Sequence, residues 1–149
     1  MGLQHKAWQI PLRLGAGVFI LGSGLGKVTQ DAATADQTHG FAVTAYPMLG
    51  KVEPRLFLRA LGAGELALGT ALLIPVVPTA LVGLGLTAFS TGLLGLYLRG
   101  PGLRREGSLR PTEQGMGIAK DVWLLAIGAA FVVDELEQRR RDGRRGRRR

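Results

Sequence analysis

The chain has 149 residues, 46% of them hydrophobic, with a net charge of +8 and no cysteine. This length suits a single domain, and the lack of cysteine excludes disulfides, thiolate metal ligands and thiol relays within the chain. Its two histidines lie far apart and away from any acidic cluster, so we expect no metal site. Eight of the last eleven residues are arginine, so most of the excess charge belongs to the tail.

The first predicted helix covers residues 10–28, "IPLRLGAGVFILGSGLGKV". Arg13 lies near one end and Lys27 at the other, where long basic side chains can reach the lipid headgroups. A signal peptide is the alternative, with a basic start, an apolar core and "ATA" at 33–35 as its cleavage site. Because the chain still carries this segment, we favour a membrane anchor.

The connection that follows, residues 29–55, mixes polar residues with apolar and aromatic ones such as Phe41, Tyr46 and Met48. This composition predicts a short interfacial helix or a segment that dips back over the bundle.

Two further helices are predicted at 56–74 and 79–98. Residues 66–98 form a run of 33 uncharged residues, which as one helix would be about 50 Å long and exceed a hydrocarbon core of roughly 30 Å. Pro75 and Pro78 in "IPVVP" break the run and predict a tight turn. Two adjacent segments of this kind indicate a membrane protein.

The last predicted helix, 118–136, follows a basic loop rich in glycine and proline. The fold class predicted is therefore an all-α integral membrane protein, a four-transmembrane-helix bundle over 1–136 with a long, interfacial first loop. Residues 137–149 form an arginine-rich tail that we expect to be disordered. An even number of spans places both termini on one side, and the tail makes that side cytoplasmic, although the opposite loops are also basic.

The glycine patterns predict helix packing. "GSGLGK" at 22–27 and "GAGELALG" at 62–69 lack the spacing and strand context of nucleotide-binding loops. Small residues four apart allow helices to approach closely in lipid. We expect this role for Gly22 with Gly26, and for the series Ala63, Ala67 and Ala71.

Glu65 is an acid near the middle of the second predicted span. Three-and-four spacing places it on one helix face with Gly62, Gly69 and Leu72. A buried carboxylate protonates or pairs with a cation. Arg59 points about 120° away, so we expect Glu65 to pair with Arg13 or Lys120 on another helix.

Lys120 and Asp121 form a second intramembrane charge set and point in different directions. All these charges suit either a structural polar clamp or a site for a headgroup, a quinone or a proton, and the sequence leaves both open. The tail arginines suit an orientation signal and binding to anionic lipid headgroups. Nucleic-acid binding is disfavoured because no aromatic residue interleaves them. The headgroup candidates are Arg139, Arg140, Arg141, Arg144 and Arg145.

Three segments resemble DoxX-type membrane proteins: "RLGAGVFILGSGLGKV", "GAGELALGTALL" and "AKDVWLLAIGAAF". The resemblance covers roughly residues 10–136 and implies a four-helix protein of the bacterial cytoplasmic membrane. It also implies association with redox systems, as a partner of thiosulfate:quinone oxidoreductase or of oxidative-stress enzymes. The residues that match the polar positions of the family are Arg13, Lys27, Glu65, Lys120 and Asp121.

We therefore expect a small membrane subunit or accessory protein of a redox system, with a protein partner and no catalysis of its own. Quinone is the expected ligand, and no covalently bound cofactor is expected. A scaffold subunit of a larger complex is the alternative. A carrier for a small solute or proton is a third, although we see no inverted repeat.

Overall fold

The computed structural model describes residues 6–146, with side chains through residue 144. Within this range the chain is helical and has no strand, only an isolated bridge between Arg104 and Pro111. The all-α prediction is confirmed for these residues. The helices are α1 (Gln9–Val28), α2 (Ala32–Ala45), α3 (Pro54–Leu73), α4 (Thr79–Arg99), α5 (Met116–Ala119) and α6 (Val122–Gly146), with a 3-10 turn at Pro47–Lys51.

Carboxylates cap the starts of α2 and α3. Asp31 accepts a hydrogen bond from the backbone N–H of Thr34 at 2.9 Å, and Glu53 accepts two, from Arg55 at 3.0 Å and Leu56 at 2.7 Å. Such caps satisfy N–H groups that have no partner within the helix. These backbone hydrogen bonds hold the pKa of both carboxyl groups below their ordinary values.

Three segments are long and apolar enough to cross a membrane: α3, α4 and residues 116–144. The 21 residues of α4 span about 30 Å, which matches a hydrocarbon core. The predicted turn at Pro75–Pro78 does separate α3 from α4. The first helix, α1, is not among the three.

Helices α1 and α3 pack closely through glycines. A Cβ added to Gly69 would lie 2.7 Å from the backbone nitrogen of Leu21, and one added to Gly24 would lie 2.8 Å from the carbonyl oxygen of Gly62. The backbones therefore touch at these levels, as small residues permit.

Four of the five predicted packing residues do not make this contact, and the fifth, Ala71, is partly buried against the core. Gly22 and Gly26 have open space where a side chain would be, and Ala63 and Ala67 are exposed. The contact on α1 instead uses Gly17 and Gly24, which lie seven residues apart and so face α3 together. Spacing alone offered several equivalent pairs, and the register between the helices selected this one.

Helices α4 and α6 form the second close pair. A Cβ on Gly128 would lie 2.8 Å from the backbone nitrogen of Thr87, and one on Gly83 would lie 2.9 Å from the Cβ of Phe131. Buried apolar side chains from all four long helices then join the two pairs. These are Ala16, Ile20, Leu72, Val82, Leu86, Leu124 and Phe131.

The predicted short helix in the first connection is present as α2, which packs against α3 and α4. Nε2 of His39 donates to the carbonyl oxygen of Leu49 at 2.9 Å and holds the 3-10 turn against α2. The hydroxyl of Tyr46 donates to the carbonyl oxygen of Gly92 on α4 at 2.8 Å. This connection therefore forms part of the helical packing.

The tail differs from the disorder expected from residue 137, because α6 continues to Gly146. Arg139 pairs with Glu135 at 3.1 Å and Arg141 with Glu137 at 3.6 Å, both one helical turn apart. Such pairs support an exposed helix. Residues 147–149 lie outside the described part of the chain.

Candidate functional site

The predicted stripe around Glu65 is the buried face of α3. Gly62, Glu65, Gly69 and Leu72 are all buried there, and the Glu65 side chain is 3% exposed. Periodicity therefore located the acid correctly, on the face that meets α1.

The partner of Glu65 is Lys27, and the expected pairing with Arg13 or Lys120 is wrong. Lys27 Nζ lies 3.0 Å from Oε2 of Glu65 and 2.7 Å from Oγ of Ser23. Side chains on a helix lean towards its N-terminus, so in antiparallel α1 and α3 these two lean towards each other. A lysine at the end of α1 can thus reach an acid deeper in α3. We call Lys27 and Glu65 the pocket pair.

The pocket pair borders a partly open cavity of about 430 Å³ between α2, α3 and α4. Four aromatic side chains, those of Phe41, Tyr46, Phe57 and Phe89, line this aromatic pocket. Phe57 is fixed by an edge contact with His39, at 5.4 Å between ring centroids. The rest of the lining is mainly aliphatic, so the charges stand at an otherwise apolar wall.

Asp121 and Lys120 differ in their burial. Asp121 is half-buried and interacts electrostatically with both Glu65 and Lys27. Lys120 is exposed and lines, with Asp121, a different groove of about 470 Å³ between α1 and α6. Asp121 therefore belongs to the surroundings of the pocket pair, and Lys120 does not contact Glu65.

Arg13, a residue of α1, lies against the C-terminal end of α3 and is 4% exposed. Its guanidinium donates to the carbonyl oxygens of Leu72, Ala71, Ile74 and Val77 at 3.0–3.2 Å. A cation at a helix C-terminus satisfies carbonyls that lack a partner within the helix. Arg13 thus fastens the "IPVVP" turn instead of pairing with an acid.

A chain of hydrogen bonds extends from Arg13 to α6. Nη1 of Arg13 lies 3.4 Å from Oγ1 of Thr79, which donates to Oε1 of Gln9 at 3.2 Å. Nε2 of Gln9 donates to Asp134 at 2.9 Å, and Asp134 also pairs with Lys6. We call these five residues the turn cluster.

Sequence reasoning missed Gln9, Thr79 and Asp134. Gln9 precedes Arg13 by one helical turn, which was a signal for a polar stripe at the start of α1. Asp134 follows an apolar run, a position where a charged residue is ordinary and does not indicate a buried contact. Their connection depends on three helices meeting, which no local pattern shows.

The predicted headgroup arginines lie on the exposed part of α6 beyond Asp134. Arg139 and Arg141 are engaged with glutamates of the same helix, while Arg140 and Arg144 are exposed. The side chain of Arg145 lies outside the described residues.

Across residues 6–146, no group of three or more histidine, aspartate or glutamate side chains is arranged to hold a metal ion. No protein-family model, curated protein or solved structure matches the chain. The chemistry of the site follows from its geometry: an ammonium donor and a carboxylate beside an aromatic pocket can recognise an apolar ligand that carries a hydrogen-bonding group.

Proposed function

We propose that this chain is an integral membrane protein with four spanning helices that binds a lipophilic quinone in the aromatic pocket. In this proposal it serves a membrane redox system as a small, non-catalytic subunit. The observation that carries the proposal is the pocket pair, a buried carboxylate and a partly buried ammonium at the wall of an apolar cavity.

The surface of α1 supports its assignment as the fourth span. Its polar residues Gln9 and Arg13 are buried, whereas Leu14, Val18 and Phe19 are 50–62% exposed. In water such an apolar face would promote association, whereas in lipid it is the favourable arrangement. Arg13 and Lys27 lower the hydropathy of α1, yet both bond to α3 instead of facing outward.

The dimensions and chemistry of the aromatic pocket support a quinone headgroup. A cavity of about 430 Å³ falls in the range of small-molecule sites, and aromatic side chains favour a flat ring. Lys27 carries three N–H donors, of which Ser23 and Glu65 accept two, so the third suits a quinone carbonyl. An ionisable pair inside a membrane is a functional hypothesis by default.

The resemblance to DoxX-type proteins supports the redox context, a protein partner in a membrane complex and the bacterial cytoplasmic membrane. The arginines of α6 support cytoplasmic termini, because translocation of such a segment is disfavoured.

The quinone proposal is tested by binding of a short-chain quinone analogue to the purified protein in detergent. Lys27→Met is expected to weaken binding about tenfold, the equivalent of one lost charged hydrogen bond. Glu65→Gln is expected to weaken binding as well, because Lys27 loses the carboxylate that holds it at the pocket. Ala88→Phe should block the pocket, which Ala88 lines. The matched controls are Lys120→Met, in the other groove, and Leu84→Phe, one turn earlier on α4 and exposed.

Equal binding by wild type, Glu65→Gln and Ala88→Phe would contradict the quinone site. The four-span topology is tested separately, because the chain has no cysteine and each introduced cysteine is a unique label. An impermeant maleimide applied from outside should label Asp36→Cys and Glu106→Cys but not Ala7→Cys or Asp142→Cys. Labelling of Ala7→Cys together with Asp36→Cys would show that α1 does not span.

A scaffold subunit is the second candidate function, favoured by the position of the pocket pair between α1 and α3. The pair lies beside Gly24 and Gly62, where the two backbones touch, so it also locks their register. Under this alternative, Glu65→Gln lowers thermal stability and complex assembly but leaves analogue binding at the level of wild type.

A further inference from the structure

A second pocket, of about 290 Å³, lies where the end of α1, the start of α2 and the start of α3 meet. We call it the basic pocket. Three of its residues are cationic, Lys27, Arg55 and Arg59, and only one, Asp31, is acidic. Unlike the aromatic pocket, it is built from the outer ends of the helices.

The acids near the basic pocket are engaged with the backbone. Asp31 accepts from Thr34 N–H, and both oxygens of Glu53 accept from N–H groups at the start of α3. Among the described residues, Arg55 and Arg59 form no ion pair within 4.0 Å. The two guanidinium groups therefore retain donors suited to an anion.

Arg55 and Arg59 occupy the first two turns of α3, one turn apart, so they share a face. In a spanning helix these turns lie at the level of the lipid phosphates. Arginine presents a planar set of donors that fits the oxygens of a phosphate group. The start of α2, at Ala32, also lines the pocket and adds the positive end of a helix dipole.

We propose that the basic pocket binds a phosphate group, carried by an anionic phospholipid or free in solution, through Arg55 and Arg59 with Lys27 at its wall. The lipid source rests on the membrane placement proposed above but not on the quinone site. This site is distinct from the arginines of α6, which lie beyond Asp134 at the other end of the bundle.

The test uses full-length protein in nanodiscs of phosphatidylcholine, with and without phosphatidylglycerol, and counts retained phosphatidylglycerol by native mass spectrometry. Arg55→Gln/Arg59→Gln is expected to weaken phosphatidylglycerol binding about thirtyfold, at the usual contribution of two basic residues near a membrane surface. The matched control, Arg105→Gln/Arg110→Gln, removes the same charge from exposed loop residues outside the pocket and should bind as wild type.

A titration with inorganic phosphate in uncharged detergent separates the two sources. If phosphate raises the unfolding temperature of wild type but not of Arg55→Gln/Arg59→Gln, the free anion is a ligand. If phosphatidylglycerol raises it and phosphate does not, the ligand is the lipid. The proposal would be overturned if both double variants lost phosphatidylglycerol binding equally, or if wild type bound neither phosphate nor phosphatidylglycerol in preference to phosphatidylcholine. Because the substituted arginines are exposed, we expect both double variants to fold. An unfolding measurement in phosphatidylcholine alone verifies this. The single variants Arg55→Gln and Arg59→Gln provide milder substitutions of the same pocket.

Discussion

Two polar groups packed against α3, one near its middle and one at its C-terminal end, are satisfied in different ways. In the turn cluster, the guanidinium of Arg13 makes five hydrogen bonds, four to backbone carbonyls and one to Thr79. In the pocket pair, Lys27 and Glu65 make one ion pair beside a cavity, and Lys27 remains 22% exposed. The guanidinium of Arg13 is surrounded by acceptors of the same chain, whereas Lys27 and Glu65 border an open cavity.

This difference indicates different roles for residues that look alike in the sequence. A polar group whose partners are all intramolecular fixes the structure, and its loss leaves buried acceptors unpaired. A charge pair with spare donor capacity at a pocket can take an additional partner. Substitutions at Arg13 and at Glu65 test this difference in roles.

Removal of the Arg13 charge should have the largest effect on stability. Arg13→Met leaves several carbonyls at the end of α3 without their donor and should lower the free energy of unfolding by about 3 kcal/mol or more. Thermal unfolding in detergent, followed by circular dichroism, measures the change. The matched control is Arg105→Met, at an exposed position. If the free energy of unfolding falls equally little in both variants, Arg13 does not have the structural role described here.

Gly69 lies between the pocket pair and the turn cluster, at a close contact of α3 with α1. Its substitution tests whether the two helices approach this closely. Gly69→Ala puts a Cβ against the backbone of Leu21, which must shift, so the unfolding free energy should fall by about 1–3 kcal/mol. Gly22→Ala on α1 meets open space and should be neutral or slightly stabilising. If the two variants unfold alike, the helices do not approach as closely as described.

Glu65→Gln should be milder than Arg13→Met because Lys27 keeps Ser23 and can turn towards the end of the helix. We expect a loss of about 1 kcal/mol in the same unfolding measurement. A loss as large as that of Arg13→Met would make the pocket pair a structural clamp and remove the contrast between the pocket pair and the turn cluster.

The exposed caps provide the smallest effect and a reference for both clusters. The pKa of Asp31 is lower in the folded state than in the unfolded chain, because the Thr34 N–H bonds the carboxylate. Its contribution to stability is therefore present above the unfolded pKa and is lost as pH falls through the folded pKa. Asp31→Asn, which keeps a capping oxygen, should remove this acid-side component of the unfolding profile. If the free energies of unfolding of Asp31→Asn and wild type differ by the same amount from neutral to acidic pH, this assignment is contradicted.

Local pattern predicted much of the helical structure. The uncharged run with Pro75 and Pro78 located α3, α4 and the turn between them, and three-and-four spacing identified the buried face around Glu65. These features depend on residues that lie within a few turns of one another, so their geometry follows from the helix itself.

The partners across helices could not be derived in this way. Lys27, and not Arg13 or Lys120, meets Glu65 because the Gly24 and Gly69 contacts set the register of α1 on α3. The same register leaves Gly22 and Gly26 facing outward, although their spacing is equally suited to packing.

By itself, the sequence determined α3, α4, the turn between them and the face on which Glu65 lies, because each depends on local spacing and hydropathy. The tertiary structure alone decided that Arg13 fastens a turn while Lys27 and Glu65 stand at a pocket. Both pairs of contacts join residues far apart in the chain, and only the packing of one helix on another brings such residues within hydrogen-bond distance.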